Sequence, residues 1–297
     1  MTNNSSDVLA GDSGLGYTSI LPVFICIFGV FAHVFLIVAF IKDPLKCFRN
    51  SGTYLVANLA ISDLLTSLTS LIIFLQRDLA DPWCFEFLTL PTVFASLVSI
   101  SASILTIAAI SIDLFVMTVY PIKHRVLMKG KVIFVWLACT WLISTGIAAP
   151  VFFPSTMNGV DLPLHILRDF ATAVILFASV MYGLTCYKFM KQTKNFALGH
   201  ISNRQEHIRV MKEKRFLRTI SLIACIQIVC VVPSAIFSNS RTLEASPTID
   251  QSSLIPINIF ATLFHANFAV NPVVYVLRLP NYRKTFYLLY SCKAGQR

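Results

Sequence analysis

Long apolar runs alternate with short polar breaks along almost the whole chain. The runs fall near residues 18–41, 53–76, 88–119, 131–154, 166–190, 216–238 and 252–277. Each reaches or exceeds the roughly 20 residues that cross a bilayer as a helix. Seven spanning helices are therefore predicted. Residues 1–17 form a polar tail ahead of them, and residues 278–297 form a tail behind them. The first run is too long for a signal-peptide core, so a retained helix is expected there.

The last run ends differently from the others. Phe264 to Tyr275 carries Asn267 and Asn271 four residues apart, on one helical face. Pro272 follows, removes a backbone donor and predicts a kink. After the run stops, Arg283 and Lys284 lie opposite Phe286, Leu288 and Leu289. This pattern predicts a short amphipathic helix lying on the membrane surface. Amides inside a membrane are costly, and two readings stand: a functional polar site, or hydrogen-bonding between helices.

Composition agrees with a membrane protein. Of 297 residues, 56% are hydrophobic and 13% are charged, with mean hydropathy +0.72. Soluble domains carry roughly 25% charged residues. Net charge +10 would suit nucleic acid, but the charges are sorted by side. Only Arg77, Arg168 and Arg241 of the 24 lysines and arginines fall on one side of the predicted spans. The rest fall on the other, which puts the amino terminus outside and the carboxyl terminus in the cytoplasm. Asn3 and Asn4, each starting a glycosylation sequon, agree with an outer amino terminus. The basic loop before the sixth run attracts anionic lipid or docks a cytosolic partner. Nucleic acid is not an expected partner.

The eight cysteines show no metal-type Cys-x-x-Cys pair, and most sit in apolar runs. No run has lysine or arginine at its middle. Two acids lie away from the outer ends of the runs: Asp63 near the middle of the second, and Asp113 near the inner end of the third; Asp169 sits at the outer start of the fifth. A carboxylate at mid-membrane costs a few kcal/mol unless compensated, so Asp63 must face inward. Polar residues able to meet it are Asn58, Ser62, Ser101, Ser103, His33, His265, Asn267 and Asn271. No soluble catalytic domain, inverted repeat or intramembrane nucleophile pair is evident, so an enzyme or a transporter is not expected.

Several segments resemble the rhodopsin-like (class A) G-protein-coupled receptors. Asn58-Leu-Ala-Ile-Ser-Asp63 is similar to the second-helix motif. Asp113-Leu114-Phe115 followed by Tyr120-Pro121 resembles the third-helix Asp-Arg-Tyr region. Trp141 and Pro150 fit the fourth helix, and Cys230-Val-Val-Pro233 resembles the sixth-helix Cys-Trp-x-Pro. Asn271-Pro272-Val-Val-Tyr275 is similar to Asn-Pro-x-x-Tyr. The resemblance implies an all-α seven-transmembrane bundle in the plasma membrane. It also implies an extracellular ligand and signalling through a heterotrimeric G protein. Carried over by position, it implies a sodium pocket at Asp63, Ser103, Asn267 and Asn271. The same residues could instead form a water-filled polar cluster. Pro233 and Pro272 would be the points about which helices six and seven move. Cys292 falls at the usual palmitoylation position.

The chain departs from that pattern in places. Leu114 replaces the third-helix arginine, leaving Asp113 to pair with Lys123 or Arg125. His33 replaces the first-helix asparagine, and Val231 and Gln227 replace the sixth-helix aromatic pair. The fifth helix lacks its proline, and its tyrosine is Tyr182 or Tyr187. Thr89 stands where the extracellular disulfide would start, so no disulfide is expected. Missing features of this kind also occur among melanocortin, adenosine, cannabinoid and lysolipid receptors. Ligand-lining candidates by position are Phe94, Ser96, Phe237, Ala261 and His265. Ser96 at the amine receptors' aspartate position argues against an aminergic ion pair. His265 at the Schiff-base position argues against retinal, and no cofactor is expected beyond a sodium ion. Two functions remain open: a coupling receptor, or a receptor-like binding or scaffold protein that Leu114 prevents from coupling.

Overall fold

The computed structural model describes residues 20–45, 51–79, 82–120, 122–124, 130–152, 161–198, 218–219, 222–223, 225–234, 236–237 and 251–290. Five long helices come first: α1 Ile20–Lys42, α2 Ser51–Leu79, α3 Pro82–Val119, α4 Gly130–Ala148 and α5 Asp161–Leu198. Among the described residues α6 runs over Cys225–Ser234, with further helical residues at 222–223 and 236–237. Then come α7 Gln251–Arg278 and α8 Pro280–Tyr290. Six of these are long and apolar enough to span a bilayer. Asn3, Asn4, Arg125 and Cys292 lie outside the described residues.

Helix ends have local causes. Asp43 takes a left-handed φ of 28°, and its amide donates to the Ala39 carbonyl, closing α1 just before Pro44. α4 tightens into a 3-10 turn over Ala149–Phe152. Pro150 has no N–H to continue an α-helical ladder. Leu279 separates α7 from α8, and its amide still donates to the Tyr275 carbonyl.

α3 is the axis of the bundle. Its apolar window is 72% buried, against 22% for α4. It packs on α2, α4 and α5, while α1 packs on α2 and α7. Large side chains such as Phe24, Phe28, Phe31, Leu142, Leu176 and Val180 point outward. In a bilayer that surface meets acyl chains, so outward apolar groups carry no penalty. Small polar groups fill the inside instead. Thr66, Ser67, Thr106, Ser144 and Thr185 each donate to a carbonyl four residues back on their own helix. Those bonds satisfy the hydroxyls without water and let helices approach closely.

α2 and α3 are joined by a ladder of side-chain bonds running antiparallel. Asn58 Nδ2 donates to Thr106 Oγ1 at 2.7 Å, and Ser103 Oγ to Asp63 Oδ1 at 2.5 Å. Above them the Thr66 and Ser99 hydroxyls lie 3.0 Å apart and share one hydrogen bond. Trp141 Nε1 donates to Asn58 Oδ1 at 3.0 Å, tying α4 to the lowest rung. Asn58 is therefore engaged with α3 and α4 and does not serve Asp63.

The end of the bundle that carries most basic residues is closed by apolar packing. Leu114 is fully buried in a cluster with Leu55, Val56, Ile110, Tyr182, Ile223, Val274 and Tyr275. α8 folds back against α1: Tyr282 packs edge-on to Phe40, and Tyr290 donates to the Phe35 carbonyl at 3.0 Å. Tyr282 also stacks on Tyr275, which links α8 to the core.

Candidate functional site: a buried carboxylate joining four helices

Asp63 is 0% exposed and sits where α1, α2, α3 and α7 meet. Ser103 on α3 donates to Oδ1. Asn271 on α7 donates through Nδ2 to Oδ2 at 2.7 Å. His33 on α1 places Nε2 3.6 Å from the same Oδ2. Asn267, one turn before Asn271, is buried, and its Oδ1 has no partner among the described residues. Three of the four expected pocket residues thus share direct contacts, with the fourth on the same face of α7.

Gly29 makes this geometry reachable. A Cβ there would lie 2.7 Å from Ser67 Oγ and 3.4 Å from Ala269 Cβ, so only glycine lets α1 come this close to α2 and α7. The Gly29 carbonyl accepts a 2.8 Å bond from His33 Nδ1. A carbonyl only accepts, so Nδ1 carries the hydrogen. In the neutral ring Nε2 is then an acceptor, and it faces a carboxylate oxygen. Nε2 has no hydrogen-bond partner among the described residues.

In the neutral ring the two acceptors, 3.6 Å apart and buried, call for a positive or donating group; in the imidazolium Nε2–H itself faces the carboxylate. With ligand distances of about 2.4 Å, both could reach one ion at roughly right angles. The orphaned Asn267 Oδ1 is a further oxygen donor. The donor set fits a hard monovalent cation, and sodium would be held chiefly by Asp63, Ser103, Asn267 and Asn271. Bound there, it would supply compensating charge for the buried carboxylate.

One expected pairing differs in the structure, and one open alternative is decided. Asp113 does not pair with Lys123. His124 Nε2 lies 2.8 Å from Asp113 Oδ1, and Lys123 Nζ sits over the Tyr120 ring. The helical residues 122–124 turn His124 back toward α3, with its amide on the Tyr120 carbonyl. Of the two fifth-helix tyrosines, Tyr182 faces inward, its hydroxyl 3.4 Å from the Ile107 carbonyl, and Tyr187 is exposed.

The ligand-lining candidates separate into pairs. Phe94 packs on Phe152 at the end of α4, and Ser96 is buried. Phe237 stacks on Phe260 of α7. His265 Nδ1 donates to the Ala261 carbonyl at 2.7 Å, and its ring meets Phe74 and Phe264 edge-on. His265 thus belongs to an aromatic seam between α2 and α7 and is not among the hydrogen-bond partners of Asp63. Sequence reasoning missed Gly29 and His124. A glycine one turn before an intramembrane histidine was the available signal for the first.

The sequence matches the 7 transmembrane receptor (rhodopsin family) model over residues 32–275. It is 20% identical over 94% of its length to a QRFP-like peptide receptor of Branchiostoma floridae, covering 78% of that protein. It is 26% identical over 88% of its length to the neuropeptide F receptor of Drosophila melanogaster, covering 59% of it. It is 22% identical over 96% of its length to bombesin receptor subtype-3 of Ovis aries, covering 79% of it. The fold superposes on squid rhodopsin with TM-score 0.76 at 18% identity, covering 92% of this chain and 84% of that one. The buried Asp63 centre, the helix order and the extent of the match agree: this chain belongs to the rhodopsin family of seven-transmembrane, G-protein-coupled receptors.

Proposed function

We propose that the protein is a plasma-membrane receptor for an extracellular peptide, with its amino terminus outside and its basic end in the cytoplasm. Two of the relatives named above, the QRFP-like peptide receptor and the neuropeptide F receptor, are peptide receptors by name, and the ligand class follows them. The skew of lysine and arginine supports the orientation. Ligand binding at the outer end would shift α6 outward about Pro233 and α7 about Pro272, opening the basic end to a G protein. The observation that carries this reading is Asp63, one buried acid bonded to α3 and α7 and faced by α1. Movement of α7 cannot occur without breaking or remaking the Asn271 bond. We further propose that sodium in this pocket favours the closed arrangement.

A second reading, a receptor-like protein that binds without coupling, is favoured by one observation. Leu114 is buried within the core and cannot offer a guanidinium to a G protein. Nucleotide exchange on a panel of purified G proteins separates the two. Exchange driven by the native chain supports coupling, and its absence at saturating peptide supports the second reading. Glycosylation at Asn3 and Asn4, palmitoylation at Cys292 and attachment of α8 to anionic lipid complete the proposal.

A further inference from the structure

Three arginines from two parts of the chain converge on one cleft at the basic end. The cavity, about 300 Å³, is lined by Arg218, Thr219, Leu277, Arg278, Pro280 and Arg283. Arg218 precedes α6, Arg278 closes α7, and Arg283 lies in the first turns of α8. None of the three forms a salt bridge among the described residues. Three like charges facing a shared cleft repel one another, so an anion bound there is strongly favoured. Guanidinium groups bind phosphate through paired N–H donors. The wall of the cleft is not uniformly polar. Leu277, at the end of the membrane-spanning segment, is 68% exposed beside Arg278. A ligand with a charged head among the arginines and a hydrocarbon chain along Leu277 satisfies both surfaces.

We propose that this cleft is a binding site for a lipid with a multiply phosphorylated headgroup, a phosphoinositide of the cytoplasmic leaflet. A single phosphodiester would leave part of the positive charge unmatched, and Leu277, at the end of the spanning segment, sets the cleft beside the bilayer edge, where lipid headgroups are the nearest anions. The site differs from the diffuse attraction of a basic surface, which responds to total charge and not to headgroup. It rests on the proposed orientation. An anion held jointly by Arg218 and by the α7–α8 corner also favours the state in which those parts stay together.

The test uses the full chain in phosphatidylcholine nanodiscs, where both leaflets are present and orientation does not enter. Fluorescent phosphatidylinositol 4,5-bisphosphate and charge-matched phosphatidylserine are compared by energy transfer to the protein. The native chain should enrich the phosphoinositide at least tenfold over phosphatidylserine. Arg218→Gln and Arg283→Gln should each bring that ratio close to one. Lys188→Gln combined with Lys191→Gln, two exposed charges on α5, should leave it unchanged. Thermal melting of each variant establishes that it is folded. Equal enrichment of both lipids, or equal loss in the lysine variant, would overturn the site. Full competition by soluble inositol 1,4,5-trisphosphate at the same concentration would overturn the lipid assignment in favour of a free anion. Orientation is read separately, from labelling of an amino-terminal tag on intact cells.

Discussion

His33 Nε2 faces Asp63 Oδ2 at 3.6 Å, while Nδ1 of the same ring is held by the Gly29 carbonyl. The relationship ties the placement of α1 to the charge at the centre of the bundle. A sodium ion in the pocket, as proposed above, would complement that charge. Raising sodium at constant ionic strength, with potassium or N-methylglucamine in exchange, should raise the melting temperature of the native chain. At tenfold above the dissociation constant the gain is about 1.4 kcal/mol. Asp63→Asn should remove the dependence. A melting curve for Asp63→Asn that still tracks sodium would take Asp63 out of the site.

Gly29→Ala should cost about 1–3 kcal/mol, because the new methyl would meet Ser67 Oγ at 2.7 Å. Gly29→Ala with Ser67→Ala should recover much of the loss, since the nearest clashing atom is removed. Thermal melting of both singles and the double measures this. Additive losses would show that the close approach of α1 and α2 is not what Gly29 provides.

Asn58 is shared by Thr106 and Trp141. Asn58→Leu should destabilise the fold by about 1–3 kcal/mol, since Thr106 and the indole lose buried partners. Trp141→Phe should then cost less in the Asn58→Leu background than in the native chain, as expected for partners in one network. Equal costs in both backgrounds would separate the two residues.

His124→Ala leaves the buried Asp113 carboxylate without its partner. A loss of about 1–3 kcal/mol is expected, measurable as a lower melting temperature. His124→Ala combined with Asp113→Asn should be milder than His124→Ala alone. No improvement in the double would mean that the Asp113–His124 contact adds nothing to stability.

The fold class was legible in the sequence because spanning length and hydropathy are read directly from composition. Asp63 and Asn271 were legible because a carboxylate and an amide in a membrane must find partners. Ser103 was one of several polar candidates in the membrane, and the family pattern singled it out. The rest depended on what chain position cannot state. His124 displaced Lys123 as the partner of Asp113 because residues 122–124 turn back as a helix. Asn58 was a plausible partner for Asp63, but the register of α2 against α3 gives it to Thr106. Phe94 packs on Phe152 and Phe237 on Phe260, contacts between different segments that chain position alone does not state.

The most direct test of the account is basal and peptide-stimulated nucleotide exchange on purified G-protein α subunits, native chain beside Leu114→Arg. Leu114 is fully buried, so arginine there should lower thermal stability and favour the open arrangement that exposes it. The account predicts exchange above empty membranes for the native chain and a higher rate for Leu114→Arg. A folded native chain that drives no exchange on any subunit, with Leu114→Arg equally silent, would contradict it.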